Sequence, residues 1–162
     1  MARNAYHHVA LRVDDLDRST RFYEAVFGGK VVIELELAPD FVASIFGAPV
    51  GTRGLNRLIS FGDWAIEIFQ FVPGLPTGDT KQFEAGLMHL CVWVDDVPAT
   101  VEAIRRAGGD SKFPIRPWGG HHFVYATDPD GHVLELLDAT VAQCRSLVAS
   151  VGVPDHNRVA GA

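Results

Sequence analysis

The feature that most constrains this chain is an internal repeat that spans most of its 162 residues. The stretch HVALRVDDLDRST starts at His8, and the stretch HLCVWVDDVPATV starts at His89. Both open on histidine and reach Val-Asp-Asp at the same offset, and a Gly-Gly pair follows twenty residues after His8 and nineteen after His89. Two tandem copies of one unit predict two similar modules that pack together.

Within each unit the hydrophobic period changes from that of a strand to that of a helix and back. Paired aspartates precede the helical segment and paired glycines end it, as in a capped helix. The sequence therefore predicts an α+β fold of two tandem β-α-β-β-β modules that form a curved mixed sheet. We expect the first module over residues 1–76, the second over 77–140, and a C-terminal helix and loose tail over 141–162.

One segment, APDFVASIFGAPVGT, occurs only in the first unit. It predicts a short helix in a loop over the functional site. The Asp-Pro-Asp-Gly run that begins at Asp128 predicts a hairpin turn rather than a metal-binding loop.

Composition excludes several classes of function. The net charge of -6 argues against nucleic acid as the main partner, because phosphate binding needs a basic surface. Two cysteines provide no disulfide framework, which favours a reducing, cytoplasmic setting. The sequence contains no signal peptide or transmembrane run, so no membrane partner is expected.

Strand parity places two histidines and two acids on comparable faces. In the first strand, His8 alternates with the apolar residues that face the following helix, and His89 does the same in the second unit. Glu67 lies between two isoleucines and Glu135 between two leucines, so both carboxylates point away from the helix side. A single histidine or acid in a strand is usually structural, but the same pair in both units favours a shared function.

These four side chains predict a metal site if the helix-free faces curve around one cavity. A buried carboxylate is costly in free energy unless a cation compensates its charge. Two imidazoles and two carboxylates suit one divalent ion, such as Zn, Ni, Co, Mn or Fe. The predicted ligands are His8, Glu67, His89 and Glu135, and the cavity can close within one chain or across a dimer.

Further candidates follow from counting across the two hairpins. If residue 127 pairs with 132, His122 shares the face of Glu135 and is a candidate catalytic group; the alternative is an exposed strand start. The same counting in the first hairpin turns Asn56 toward Glu67. Asn56, Arg12 and Trp118 are candidate substrate contacts, with surface or core positions as the alternatives.

At this point the segments HHVALRVDDLDRSTRFYEAVFGG, IEIFQF, MHLCVWVDDV and YATDPDGHVLEL resemble the vicinal oxygen chelate superfamily. That family includes glyoxalase I, methylmalonyl-CoA epimerase, extradiol dioxygenases and antibiotic-resistance proteins. The resemblance covers roughly residues 6–139 and implies paired β-α-β-β-β modules around a metal, often in a homodimer. Its ligand positions fall on the four residues that parity selects. The chain is most similar to the small metal-dependent epimerases and to glyoxalase I-like proteins.

The resemblance and the ligand set together predict a metal-dependent isomerase or epimerase. It would abstract a proton alpha to the carbonyl of a small hydroxy-ketone, keto-cyclitol or sugar-like, through a metal-stabilised enediolate. Glu67, Glu135 or His122 would act as the base. The alternatives are a glyoxalase I-type lactoylglutathione lyase, an extradiol dioxygenase, and a non-catalytic drug-binding resistance protein.

Overall fold

The structure, a computed structural model, describes residues 7–75, 86–111 and 113–151. Most of the predicted join between the units, and the predicted tail after residue 151, lie outside these residues. No helix among the described residues is long and apolar enough to cross a membrane.

The first module is a four-stranded mixed sheet with strand order β1-β4-β3-β2, in which β1 runs parallel to β4. Its helix α1 follows β1, and a second helix lies between β2 and β3. The elements are β1 (His8–Arg12), α1 (Leu16–Phe27), β2 (Lys30–Leu37), α2 (Pro39–Phe46), β3 (Arg53–Ser60) and β4 (Ala65–Val72).

The second module repeats this topology with strand order β5-β8-β7-β6 and a parallel β5-β8 pair. Only two glycines separate β6 from β7, so α2 has no counterpart here. The elements are β5 (Leu90–Trp93), α3 (Val97–Arg106), β6 (Arg116–Trp118), β7 (His121–Thr127), β8 (Val133–Leu137) and, after the module, α4 (Val141–Val151). The predicted α+β fold with two β-α-β-β-β modules is confirmed, with the strands in two separate sheets.

The aspartates before each helix act as caps, as predicted. The carboxylate of Asp15 accepts a hydrogen bond from the Arg18 amide at 2.9 Å, and Asp96 accepts one from the Ala99 amide at 2.8 Å. Gly28 ends α1 with a φ of 69°, a left-handed conformation that glycine adopts without strain.

The two modules share one hydrophobic core. Helix α1 contacts β3 and β4 of its own sheet and also α3, which contacts β7 of the other sheet. Phe22, Tyr23 and Ile104 are almost fully buried at this junction. Because both helices lie on the core side, the helix-free face of each sheet is directed away from the shared core.

The loop between β7 and β8 ties the second module to α1. The buried carboxylate of Asp128 accepts hydrogen bonds from the Tyr23 hydroxyl and from His132 Nδ1, both at 2.8 Å. Asp130 accepts hydrogen bonds from the Asp14 amide, the Arg18 guanidinium and the Ser19 hydroxyl. The Asp-Pro-Asp-Gly run therefore joins the modules as well as forming a turn.

The same loop corrects one prediction. Thr127 pairs with Val133 rather than with residue 132. The Asp128 amide donates to the His132 carbonyl, so the loop is the three residues 129–131, closed by Gly131 with a φ of 89°. Tyr125 therefore lies opposite Glu135, and His121 shares that face. The predicted facing of His122 was wrong: it is exposed on the opposite side of the strand.

Candidate metal centre

The first module brings His8 and Glu67 together on adjacent parallel strands. Ala10 of β1 pairs with Glu67 of β4, so His8 and Glu67 point to the same helix-free face. The Nε2 atom of His8 lies 3.3 Å from Oε2 of Glu67. Their side chains are 36% and 24% exposed, so the pair is open to the face of the sheet.

The second module builds an equivalent pair from His89 and Glu135. Cys91 of β5 pairs with Glu135 of β8, and His89 lies two residues before Cys91 on the same face. The Nε2 atom of His89 lies 3.1 Å from Oε2 of Glu135. The first hairpin register is also as predicted, with Leu58 opposite Glu67 and Asn56 on the same face.

The geometry of each pair suits two neighbouring ligands of one ion. Nitrogen and oxygen donors bound at about 2.1 Å and at right angles lie about 3 Å apart. The two observed separations, 3.3 and 3.1 Å, are close to this value. Each histidine also directs Nε2, the more extended ring nitrogen, toward its carboxylate. Each pair therefore fits two of the four protein ligands of one metal ion.

The two pairs do not combine within one chain. Across the described residues, no group of three or more His, Cys, Asp and Glu side chains is arranged to hold a metal ion. Each pair lies on the helix-free face of its own sheet, and the two sheets are separate. One chain thus presents two half-sites.

The two half-sites have different surroundings. Tyr125 lies opposite Glu135 on β7, and its ring packs edge-on against His89 at 5.4 Å between centroids. Burial, together with the nearby Glu135 carboxylate, raises the pKa of the Tyr125 hydroxyl. Cys91 also contacts Glu135, and burial together with this carboxylate raises the pKa of the thiol to about 12. In the first module, Leu58 and Ala10 occupy the positions beside Glu67.

A second polar group lies just after the end of β8. Asp138 binds His121 Nδ1 at 3.2 Å through one oxygen and His122 Nδ1 at 3.1 Å through the other. Burial pushes the pKa of Asp138 upward, but hydrogen bonds from the His122 amide and from both imidazoles outweigh it and lower the pKa. His121 and Tyr125 were not predicted from the sequence as residues of the site. Pairing the strands across a three-residue loop that ends at Gly131 would have placed both on the face of Glu135.

The three predicted substrate contacts have different surroundings. The guanidinium of Arg12 donates a hydrogen bond to the Leu75 carbonyl. Asn56 is only 2% exposed, and its side-chain amide donates a hydrogen bond to the Ile68 carbonyl at 3.3 Å. This amide therefore binds the backbone of the neighbouring strand. Trp118 pairs with His121 and is half-buried on the Glu135 face. Contact of these residues with a substrate stays a prediction.

Helix α2 is the short helix expected over the site. Its last residue, Phe46, packs against Phe69 and Phe71 at 5.5 and 5.8 Å between ring centroids. Both phenylalanines share the face of Glu67, because they follow it at even spacing in β4. The face of the first half-site is therefore free of α1 but is partly covered by α2.

A cleft of about 280 Å³ lies elsewhere, between α1 and strands β2 to β4. Its one cationic side chain, Arg57, is paired with Asp17 at 2.7 Å and Glu34 at 2.9 Å. The Arg57 guanidinium is thus held by ion pairs within the fold. Neither histidine–glutamate pair lines the cleft.

Comparison with known proteins gives consistent matches. The model of the Glyoxalase/Bleomycin resistance protein/Dioxygenase superfamily matches residues 5–136. The lactoylglutathione lyase of Haemophilus influenzae is 30% identical over 135 residues, which are 81% of this chain and 90% of that protein.

Two solved structures share the fold. A glyoxalase family protein from Bacillus cereus has a TM-score of 0.71 at 16% identity, over 85% of this chain and 97% of its own. A mutant fosfomycin resistance protein FosX from Listeria monocytogenes, complexed with Mn(II), has a TM-score of 0.59 at 21% identity, over 88% and 95%.

Proposed function

This chain belongs to the glyoxalase/bleomycin resistance protein/dioxygenase superfamily, and on that premise we propose that it is a metal-dependent isomerase or epimerase. Its substrate is a small hydroxy-ketone, and the reaction moves a proton at the carbon next to the carbonyl. The observation that supports this most is the recurrence of one His–Glu pair, at 3.3 and 3.1 Å, on the helix-free face of each module.

The complete site is proposed to form between two copies of the chain. The helix-free faces carry exposed apolar side chains, and a large exposed apolar surface is typical of an interface. Ile33 and Leu35 on the first face are 45% and 52% exposed, and Trp93 on the second is 53% exposed. In a two-fold homodimer, His8 and Glu67 of one chain would face His89 and Glu135 of the other, giving two equivalent sites.

Complementation between two inactive variants tests this assembly. One variant carries His8→Ala with Glu67→Gln, and the other carries His89→Ala with Glu135→Gln. Each homodimer has two broken sites, whereas a mixed dimer has one site with all four ligands and one with none. Metal binding and turnover that return only on mixing support the shared site. Mixed dimers that stay metal-free, beside a wild type that binds metal, would contradict it.

The chemistry divides between the ion and the chain. When bound, a divalent ion supplies Lewis acidity that polarises the substrate carbonyl. Glu67, whose strand neighbours Ala10 and Leu58 are apolar, is the better candidate for the base, because Glu135 lies between the polar side chains of Cys91 and Tyr125. Arg12 and Trp118 orient the substrate, and α2 limits the access of water on the first face.

A second candidate function is that of a lactoylglutathione lyase. The observation that favours it is the 30% identity with the Haemophilus influenzae enzyme over 90% of that protein's length. Such a lyase also needs proton transfer beside a carbonyl, so the same two carboxylates would act, on a glutathione adduct in place of a free hydroxy-ketone.

Solvent deuterium distinguishes these reactions. The metal-loaded dimer is incubated in heavy water with a panel of hydroxy-ketones, and separately with methylglyoxal and glutathione. Deuterium uptake at the carbon next to the carbonyl, without glutathione, supports the isomerase. Turnover only with glutathione would establish the lyase instead. Oxygen consumption with a catechol would indicate the extradiol dioxygenase, and tight drug binding without any turnover would indicate a resistance protein.

A further inference from the structure

His7 lies beside the proposed metal ligand His8 and contacts it directly. The Nδ1 atoms of the two rings are 2.7 Å apart, and the rings meet edge-on with centroids at 5.0 Å. His8 directs its other nitrogen, Nε2, toward Glu67. His7 therefore touches the side of the His8 ring that lies away from the carboxylate.

A separation of 2.7 Å between two ring nitrogens is a hydrogen bond with one shared proton. One ring must donate and the other must accept, since two hydrogens in that space would repel. A histidine that binds a metal through Nε2 carries its hydrogen on Nδ1. In that state the Nδ1–H of His8 has His7 Nδ1 as its acceptor.

The second module lacks this arrangement. The residue before His89 is Met88, whose thioether is a weak acceptor. Among the described residues, the buried Nδ1 atom of His89 has no hydrogen-bond partner. The two half-sites thus differ in what supports the ring of the histidine.

We propose that His7 is a positioning residue that holds His8 in the tautomer and ring orientation required for binding a divalent metal through Nε2. The inference rests on the proposed function, because it assumes that His8 is a ligand. Outer partners of this kind typically change metal affinity by about 10–100-fold. Because His7 is solvent-exposed, the lower end, about tenfold, is expected.

The test compares Zn²⁺ and Co²⁺ affinities of the full-length protein by competition with a chelating dye. His7→Ala should weaken affinity about tenfold, while His7→Asn should restore much of it, because its amide oxygen lies near the position of Nδ1 and can accept. Met88→Ala is the matched control at the equivalent position of the second module and should leave affinity unchanged. Thermal unfolding of the metal-free variants confirms that each one folds.

Nitrogen NMR of the Zn²⁺-loaded protein adds an independent readout. The signal of His8 should report a protonated Nδ1 in the wild type and in His7→Asn. Equal affinity of the wild type and His7→Ala, or equal losses in His7→Ala and Met88→Ala, would overturn the role of His7 alone. A wild type that binds neither ion would overturn the proposed function and this inference together.

Discussion

Tyr125 lies directly across from Glu135 on the neighbouring strand, whereas the equivalent Glu67 lies across from Leu58. The repeat thus preserves the ligand pair but changes what supports it. A phenol beside one carboxylate and a leucine beside the other give the two glutamates unequal surroundings.

Tyr125→Phe should lower turnover about tenfold, because it removes the hydroxyl beside the Glu135 carboxylate, and a polar partner of a charged group contributes about 1.5 kcal/mol. The KM should change little, since the ring that packs against His89 is retained. Steady-state kinetics of the metal-loaded protein measure both parameters. Tyr125→Leu, which reproduces the residue of the first module, should lower turnover at least as much; unchanged turnover in both variants would show that the hydroxyl has no role.

Asp128→Asn should reduce the free energy of unfolding by about 3 kcal/mol, because it breaks a buried charged pair. Asp128 is 2% exposed and binds Tyr23 and His132. Urea unfolding measures the loss. Asp63→Asn, at an exposed turn of the first module, is the control and should stay within about 0.5 kcal/mol of the wild type. Equal effects would mean that the loop does not stabilise the junction.

The stability of the protein should depend on the ionisation of His132. Burial alone would lower the pKa of this imidazole, but its hydrogen bond to Asp128 and the charges of Asp128 and Asp130 outweigh burial and raise the pKa above 6.5. A pKa raised in the folded state contributes stability that is complete below pH 6.5 and is lost as the pH rises through the folded value. Urea unfolding at a series of pH values should show this decline, and His132→Gln should flatten it. A variant with the wild-type pH profile would exclude His132 as the source.

Gly109→Ala should destabilise the junction between the modules by about 1–3 kcal/mol, as overpacking in a core does. A methyl group at Gly109 would collide with the Thr127 carbonyl and lie 2.7 Å from Ile104 Cγ2 and 3.0 Å from Phe22 Cε2. Gly74→Ala is the matched control, because a methyl group there meets no atom within 4 Å. Thermal unfolding compares the two variants, and equal midpoints would contradict the predicted collision.

Local pattern was sufficient for much of the site. The alternation of side chains along β1 and β4 predicts that His8 and Glu67 share a face, because both residues lie in regular strands. The helix caps at Asp15 and Asp96 are also local, since each carboxylate binds an amide three residues later. Such contacts depend on short spacings that a sequence displays directly.

The register of β7 and β8 was not accessible in the same way. It depends on whether the loop holds three or four residues, and the φ of 89° at Gly131 decides this. A change of one residue in register turns every side chain of a strand to the other face. His121 therefore lies on the face of Glu135, where His122 was expected, although the strand itself was predicted correctly.

The contacts between modules were beyond the reach of sequence patterns. Tyr23 and Asp128 are 105 positions apart, and nothing in either local sequence indicates that they meet. The same holds for Asp130 and Arg18, which are separated by 112 positions. These contacts set how the two modules pack and therefore where the half-sites face. Strand parity contains no such information, so it left open whether one chain or two complete the site.

Helix α2 has a consequence for the orientation of a bound molecule. A cavity lined by two copies of one unit presents nearly the same surface to both sides of a bound molecule, and such a cavity accepts the molecule in either of two orientations related by a half-turn. Helix α2 follows β2 in the first module only, and it places Phe46 against Phe69 on one side of the face. Together with the exchange of Leu58 for Tyr125 beside the glutamate, this helix makes the two sides of the surface unequal, so that a bound molecule is held in one of its two orientations.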